Sequence, residues 1–363
     1  MKSITMKEAR SAAADWVMHE GRGYDGYVGA YFTGSTVALP EDVDLPLGSD
    51  VDINLITRSP INGLKLGKFE HLGALLEVTY MPWQRISPAE TVLSDYHLAG
   101  GFRLDTVIDD PTGDLRSLQR QVAPEFAREA WVLRRLENVQ RNIRSGLQGI
   151  DAAAPWPDQV TSWLFPTGVT THLLLVAALQ NPTVRVRYLR ARRVLSEYGR
   201  LDSYPELLRV LGVHDISPER AEFHVHNLAR SFDAAASAAV TPFFFSSDIT
   251  QLARPIAIDS SLEMIGRGDH REAMFWIVAT FARCHKILAI DAPDAARGDL
   301  AEGFAAVLAD LGIASTQDLL DRAQKTLAFL PAVSETAAEI LAANPDVKRT
   351  AGGVPAHSQS GTA

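Results

Sequence analysis

The chain has 363 residues, 46% hydrophobic and 22% charged, and a formal net charge of −9. That length allows two domains with a substantial core, and the acidic balance argues against a general nucleic-acid binder, whose affinity comes mainly from neutralising phosphates. The single cysteine, Cys284, excludes an intramolecular disulfide and a metal-binding cysteine cluster.

In chain order, residues 4–20 carry apolar side chains at helical spacing and predict an opening helix. No apolar block of a secretory signal stands at the N-terminus, so a cytoplasmic protein is expected. Tyr27–Phe32 reads as a strand ending at Gly34-Ser35, a small turn that frees backbone N–H groups for an anion such as a triphosphate. Asp42-Val43-Asp44 follows, bracketed by Pro40 and Pro46, and is read as a solvated loop because proline interrupts a central strand. Asp50–Ile56 reads as the next strand, with apolar residues at 51, 53 and 55. Residues two apart share a face, so Asp50 and Asp52 project side by side. Like charges that close repel unless a cation lies between them, and Mg²⁺ suits such a pair. Leu72–Met81 is a further strand with Glu77 in its middle, where a buried carboxylate needs a partner or a metal. If it pairs with 50–56, Glu77 completes a cluster of three. A short helix is expected from Pro88 to Tyr96 with Ser87 as N-cap, and strands with their connections occupy roughly 27–111.

From about residue 117 the texture turns helical. Arg116–Gly146 reads as helix, interrupted or kinked near Pro124, and 156–342 as helices broken at Pro166-Thr167-Gly168, Asn181-Pro182, Gly212, Thr241-Pro242, Gly266-Arg267-Gly268 and Gly312. No run of about 18 uncharged apolar residues is evident, so no membrane span is expected. Of the 35 basic residues only seven are lysine, and arginine is dense over 183–193. That stretch is either a solvated helix or a source of Arg185, Arg187 and Tyr188 reaching a triphosphate across a cleft. Asp269 and Glu272 have the spacing of a capping box. His224 and His226 face apart on a helix, against a shared metal. After Asn344-Pro345 the chain is polar and small, as in a mobile tail.

A strand, Gly34-Ser35, a spacer, the Asp50-Val51-Asp52 strand and a third carboxylate at Glu77 together resemble the nucleotidyltransferase superfamily of the polymerase-beta type. Val107–Leu115 resembles the final strand and turn of its small-molecule and antibiotic-modifying members. The resemblance covers about the first 120 residues, and the spacer of 14 residues between Ser35 and Asp50 is longer than usual. It implies an α+β chain: a catalytic domain over 1–118 with a small mixed sheet flanked by helices, an all-α bundle over 119–343, and a disordered tail over 344–363. It further implies one or two Mg²⁺ ions on Asp50, Asp52 and Glu77, with Glu77 as acceptor-side ligand or general base. Gly34 and Ser35 would cradle the phosphates of an NTP, expected to be ATP. The implied reaction is transfer of a nucleoside monophosphate to a hydroxyl of a small molecule, with antibiotic modification or natural-product tailoring as settings. Transfer to RNA or protein, or a silent nucleotide-binding module, stay open as alternatives. A nucleic-acid partner and a membrane are not expected, and a homodimer is compatible with the sequence.

Overall fold

The computed structural model describes residues 4–59, 61 and 65–349. Helix α1 (Met6–His19) starts at a reciprocal cap: Glu8 N–H donates to Thr5 Oγ1, and Thr5 N–H donates to Glu8 Oε2. Its face of Ala9, Ala12, Ala13, Trp16 and Val17 packs onto a five-stranded sheet. The strands are β1 (Tyr27–Thr33), β2 (Val51–Thr57), β3 (Lys65–His71), β4 (Ala74–Pro82) and β5 (Val107–Asp109), in the order β3-β4-β2-β1-β5. Only β2 and β4 run parallel; the other neighbours are antiparallel.

Alternation along β2 divides its side chains between two layers. Val51, Ile53 and Leu55 face α1. Ile56 faces the opposite layer, where helices α2 (Ala89–Ser94) and α3 (Asp114–Val122) cover Val28 and Tyr31. On that second face the polar residues Asn54 and Asp52 precede Ile56, and Asn54 donates to the Tyr31 hydroxyl at 2.8 Å. The start of β2 therefore carries the acids towards the helical half of the molecule.

That half comprises α4 (Glu129–Gln148), α5 (Trp156–Ala177), α6 (Arg187–Glu197), α7 (Tyr204–Leu211), α8 (Pro218–Ala238), α9 (Arg254–Ala257), α10 (Asp259–Gly266), α11 (His270–Asp291), α12 (Asp294–Asp310) and α13 (Thr316–Ala343). They share one large core in which α5 packs on α4 and α13, and α11 packs on α8 and α5. By length and composition α5, α11 and α13 could each cross a membrane, which the sequence reading did not foresee. In this structure the apolar windows of α5 and α11 are 72% and 78% buried against neighbouring helices, and that of α13 is 39% buried.

Several expectations are corrected. Of the two readings of 116–146, the interruption is the one observed: α3 stops at Val122 just before Pro124 and α4 restarts at Glu129. Pro166 does not break α5 but lies within it, seated against Gly146 of α4, where any side chain would meet the proline ring. Ser87 is not the cap of α2, which begins at Ala89 without a side-chain cap. Asp269 makes no capping bond either. It and Glu272 instead bind Arg192 of α6, at 2.5 and 2.7 Å, and Glu272 also accepts from the Tyr204 hydroxyl at 2.7 Å. The start of the expected tail is docked: Asn344 Nδ2 donates to the Ala177 carbonyl at 3.2 Å, and Lys348 N–H to that of Ala127 at 2.8 Å. Residues 350–363 of that expectation lie outside the described residues.

Candidate metal centre and adjoining cavity

The turn after β1 is built around Asp52. Gly34 has φ of 77°, and a Cβ there would overlap the Asp52 carboxylate. Only glycine allows both the left-handed backbone and the close approach. The following residues form turns rather than a helix. Arg10 of α1 gathers their carbonyls, its Nη2 donating to Thr36, Val37 and Leu39 at 2.9, 3.1 and 2.9 Å. Opposite this turn lies β4, and its parallel register sets Glu77 directly beside Asp52. Asp50 precedes β2 by one residue. The carboxylates of Asp50, Asp52 and Glu77 each offer an oxygen within 4.8 Å of the other two.

Two lysines from the edge strand enter the cluster. Lys68 Nζ lies 3.1 Å from Asp50 Oδ2, 2.9 Å from Glu77 Oε1 and 2.6 Å from Asp248 Oδ1. Lys65 Nζ lies 2.5 Å from Glu77 Oε1. Three positions apart, the two would point to opposite faces of a regular strand; a bulge between Lys65 and Gly67 brings both to the same carboxylate. Gly67, at φ of 90°, also lets the turn Ser246–Asp248 approach, because a Cβ there would meet the Ser247 side chain. That turn delivers Asp248, which Arg283 of α11 holds at 2.9 Å.

Burial and charge set the protonation of each acid. Burial pushes Asp52 well above the usual carboxylate range, and the neighbouring charges of Asp50 and Glu77 push the same way. Burial raises Asp50 too, opposed by Lys68. Burial also disfavours ionised Glu77 and Asp248, but Lys68 and the other cations outweigh it and hold both below their ordinary values. Among the described residues no lysine or arginine is within ion-pair range of Asp52. Lys68 offsets its charge only from a distance, which leaves it the least compensated of the three acids.

These groups line a cavity of about 320 Å³ between the sheet and the helices, with Gly34, Ser35, Arg185, Phe244, Trp276 and Arg283 among its walls. A second cavity of about 230 Å³ shares Gly34, Ser35, Pro182 and Thr183 with it, and Arg103 and Arg190 face into it with no acidic residue in its lining. No protein-family model, no curated protein and no solved structure matches this chain. The chemistry must therefore be read from the site itself. Its donor set is all oxygen, Asp52 is short of a cation, and Gly34 keeps the space beside Asp52 clear of a side chain. A small hard divalent ion fits these residues.

Of the positions singled out in the sequence, Asp50, Asp52, Glu77, Gly34, Ser35 and Arg185 meet around the main cavity. Arg185 precedes α6 and donates to Ser260 Oγ at 3.2 Å. Arg187 and Tyr188 do not line the cavity. The Arg187 guanidinium lies 4.0 Å from the Phe275 ring centre and donates to the Val184 carbonyl at 2.8 Å, while Tyr188 is buried in the helical core. Helical rotation explains the split: the first turn of α6 faces α5 and α11, and only the irregular segment before it reaches the cavity. The Asp42–Asp44 stretch lies in an exposed turn that pairs with Thr5, away from the cavity walls. Lys65, Lys68, Asp248 and Arg283 were missed. The available signal was two of the chain's seven lysines standing three residues apart just before the Glu77 strand.

Proposed function

We propose that this chain is a Mg²⁺-dependent nucleotidyltransferase of the polymerase-beta type, moving a nucleoside monophosphate, AMP from ATP in the first instance, onto a hydroxyl of a small molecule with release of pyrophosphate. The observation that carries this reading is the placement of three carboxylates, Asp52 and Glu77 on paired strands and Asp50 just before β2, opposite a Gly-Ser turn in a cavity between the sheet and the helices. Asp50, Asp52 and Glu77 would hold Mg²⁺, which when bound polarises the α-phosphate and offsets charge on the departing pyrophosphate.

The chain's own groups supply the rest. The turn at Gly34-Ser35, followed by Thr36, Val37 and Leu39 whose carbonyls accept from Arg10, would face the phosphates, and Arg103 and Arg190 in the adjoining cavity suit their anionic end. Glu77 is held below the usual carboxylate range by its lysines, which makes it a weak proton acceptor and a steady cation ligand. The acceptor hydroxyl would enter on the side of Phe244, Trp276 and Arg283, which line the same cavity. A second reading, nucleotide binding without transfer, draws on Lys68, whose ammonium already engages two of the three acids.

The test is transfer of label from α-labelled NTPs to a panel of hydroxylated metabolites. Asp52→Ala should lose more than the roughly 10–100-fold that a residue merely orienting a ligand costs, and Asp42→Ala should retain full activity. Transfer persisting in Asp52→Ala would sink the assignment. Tight binding of a non-hydrolysable ATP analogue with no transfer to any acceptor would favour the second reading.

A further inference from the structure

We propose that Lys68 is a fixed cation standing in for one divalent ion, so that the site binds a single Mg²⁺ alongside the nucleotide. The inference rests on the nucleotidyltransferase reading above and says how many ions that site accepts.

Lys68 is in the position of a bridging cation. Its ammonium carries three N–H donors, and three carboxylates from separate parts of the chain surround it: Asp50 at the start of β2, Glu77 on β4 and Asp248 on the turn from the helical half. With 6% of its side chain exposed, it lacks a solvated alternative. Asp248 binds it from the side away from the strands and is itself held by Arg283 and, at 3.8 Å, by Lys65. A divalent ion bridging Asp50 and Glu77 from that side would have to expel a buried ammonium and leave it beside Arg283 and Lys65. Breaking a buried charge pair in this way is strongly unfavourable.

The remaining capacity matches one ion. Asp50 meets Lys68 through Oδ2 and Glu77 meets both lysines through Oε1, so Asp50 Oδ1 and Glu77 Oε2 stand outside those ion pairs. Asp52 lies in hydrogen-bond range of Glu77 and, among the described residues, has no lysine or arginine in ion-pair range. One divalent ion held among Asp50, Asp52 and Glu77 would neutralise the acid that the protein compensates least. Lys68 is on this account a positioning residue: it fixes Asp50 and Glu77, and its charge replaces that of a second metal.

The experiment counts Mn²⁺ bound per chain, from the loss of the free-ion electron paramagnetic resonance signal, with the full chain saturated by α,β-methylene-ATP. Wild type should bind one Mn²⁺. Lys68→Met, which leaves Asp50, Glu77 and Asp248 facing each other without an ammonium, should bind two. Two ions in the wild type, or one in a folded Lys68→Met, would overturn the inference while leaving the nucleotidyltransferase reading intact. No Mn²⁺ in the wild type would overturn that reading and this one with it. If Lys68→Met fails to fold, Lys68→Gln serves in its place, and the wild-type count decides by itself.

Discussion

Replacing Asp52 with asparagine keeps the outline of the side chain and removes one charge. In the folded protein that charge lies within 4.8 Å of carboxylate oxygens of both Asp50 and Glu77. At an effective dielectric of about 20, each such pair repels by roughly 3.5 kcal/mol. Lys68, in contact with both neighbours, cancels about one of the two, and relaxation reduces the remainder. The metal-free Asp52→Asn protein should therefore be about 1–3 kcal/mol more stable than wild type near neutral pH. The pH dependence has a definite sign. Asp52 is raised above its ordinary 3.8 in the folded state, so there the folded protein binds the proton more tightly than the unfolded chain. The contribution of Asp52 to wild-type stability is therefore lost as pH rises from about 4, while lowered acids such as Glu77 and Asp248 act the opposite way in both proteins; the difference between wild type and Asp52→Asn should grow with pH. Divalent metal should reverse the order. At Mg²⁺ a hundredfold above its dissociation constant, wild type gains about 2.7 kcal/mol, and the variant, lacking its main ligand, gains little. Thermal unfolding in EDTA and in Mg²⁺, between pH 4 and 8, measures both effects. A variant less stable than wild type in EDTA, or one that responds to Mg²⁺ as wild type does, would refute the reasoning.

Gly34→Ala should keep the fold but lose most metal binding and transfer, because the new methyl claims the space of the Asp52 carboxylate and must hold φ at 77°. Mn²⁺ affinity and label transfer check it, and wild-type values for both would refute it. Arg192→Met leaves Glu272, only 3% exposed, with the Tyr204 hydroxyl as its remaining partner. It should destabilise by about 2–4 kcal/mol, somewhat less than a fully buried pair because Arg192 is partly solvated. Arg192→Met combined with Glu272→Gln should recover most of the loss in chemical denaturation; equal stability of the single and double variants would argue against an ionic origin.

Periodicity and residue type were enough to place the opening helix, the strands of Asp50 and Glu77, the turn at Gly34-Ser35 and the helical second half. Each of these is local: alternation marks a strand face, and proline brackets marked Asp42–Asp44 as a loop. Proline at 166 shows where local rules stop, since α5 continues through it once Gly146 makes room. The pairing of Asp52 with Glu77 needed a parallel register between strands about 25 residues apart in sequence, a contact that neither strand encodes alone. Lys65 and Lys68 lie on a short polar edge strand with no apolar alternation to announce it, and only a bulge turns both inward. Asp248 and Arg283 come from the helical half, far along the chain. The acids were thus legible because a strand's two-residue period is a property of the backbone. Their counter-charges were not, because an ion pair depends on distances across the fold, and those exist only once the sheet and the helices have packed.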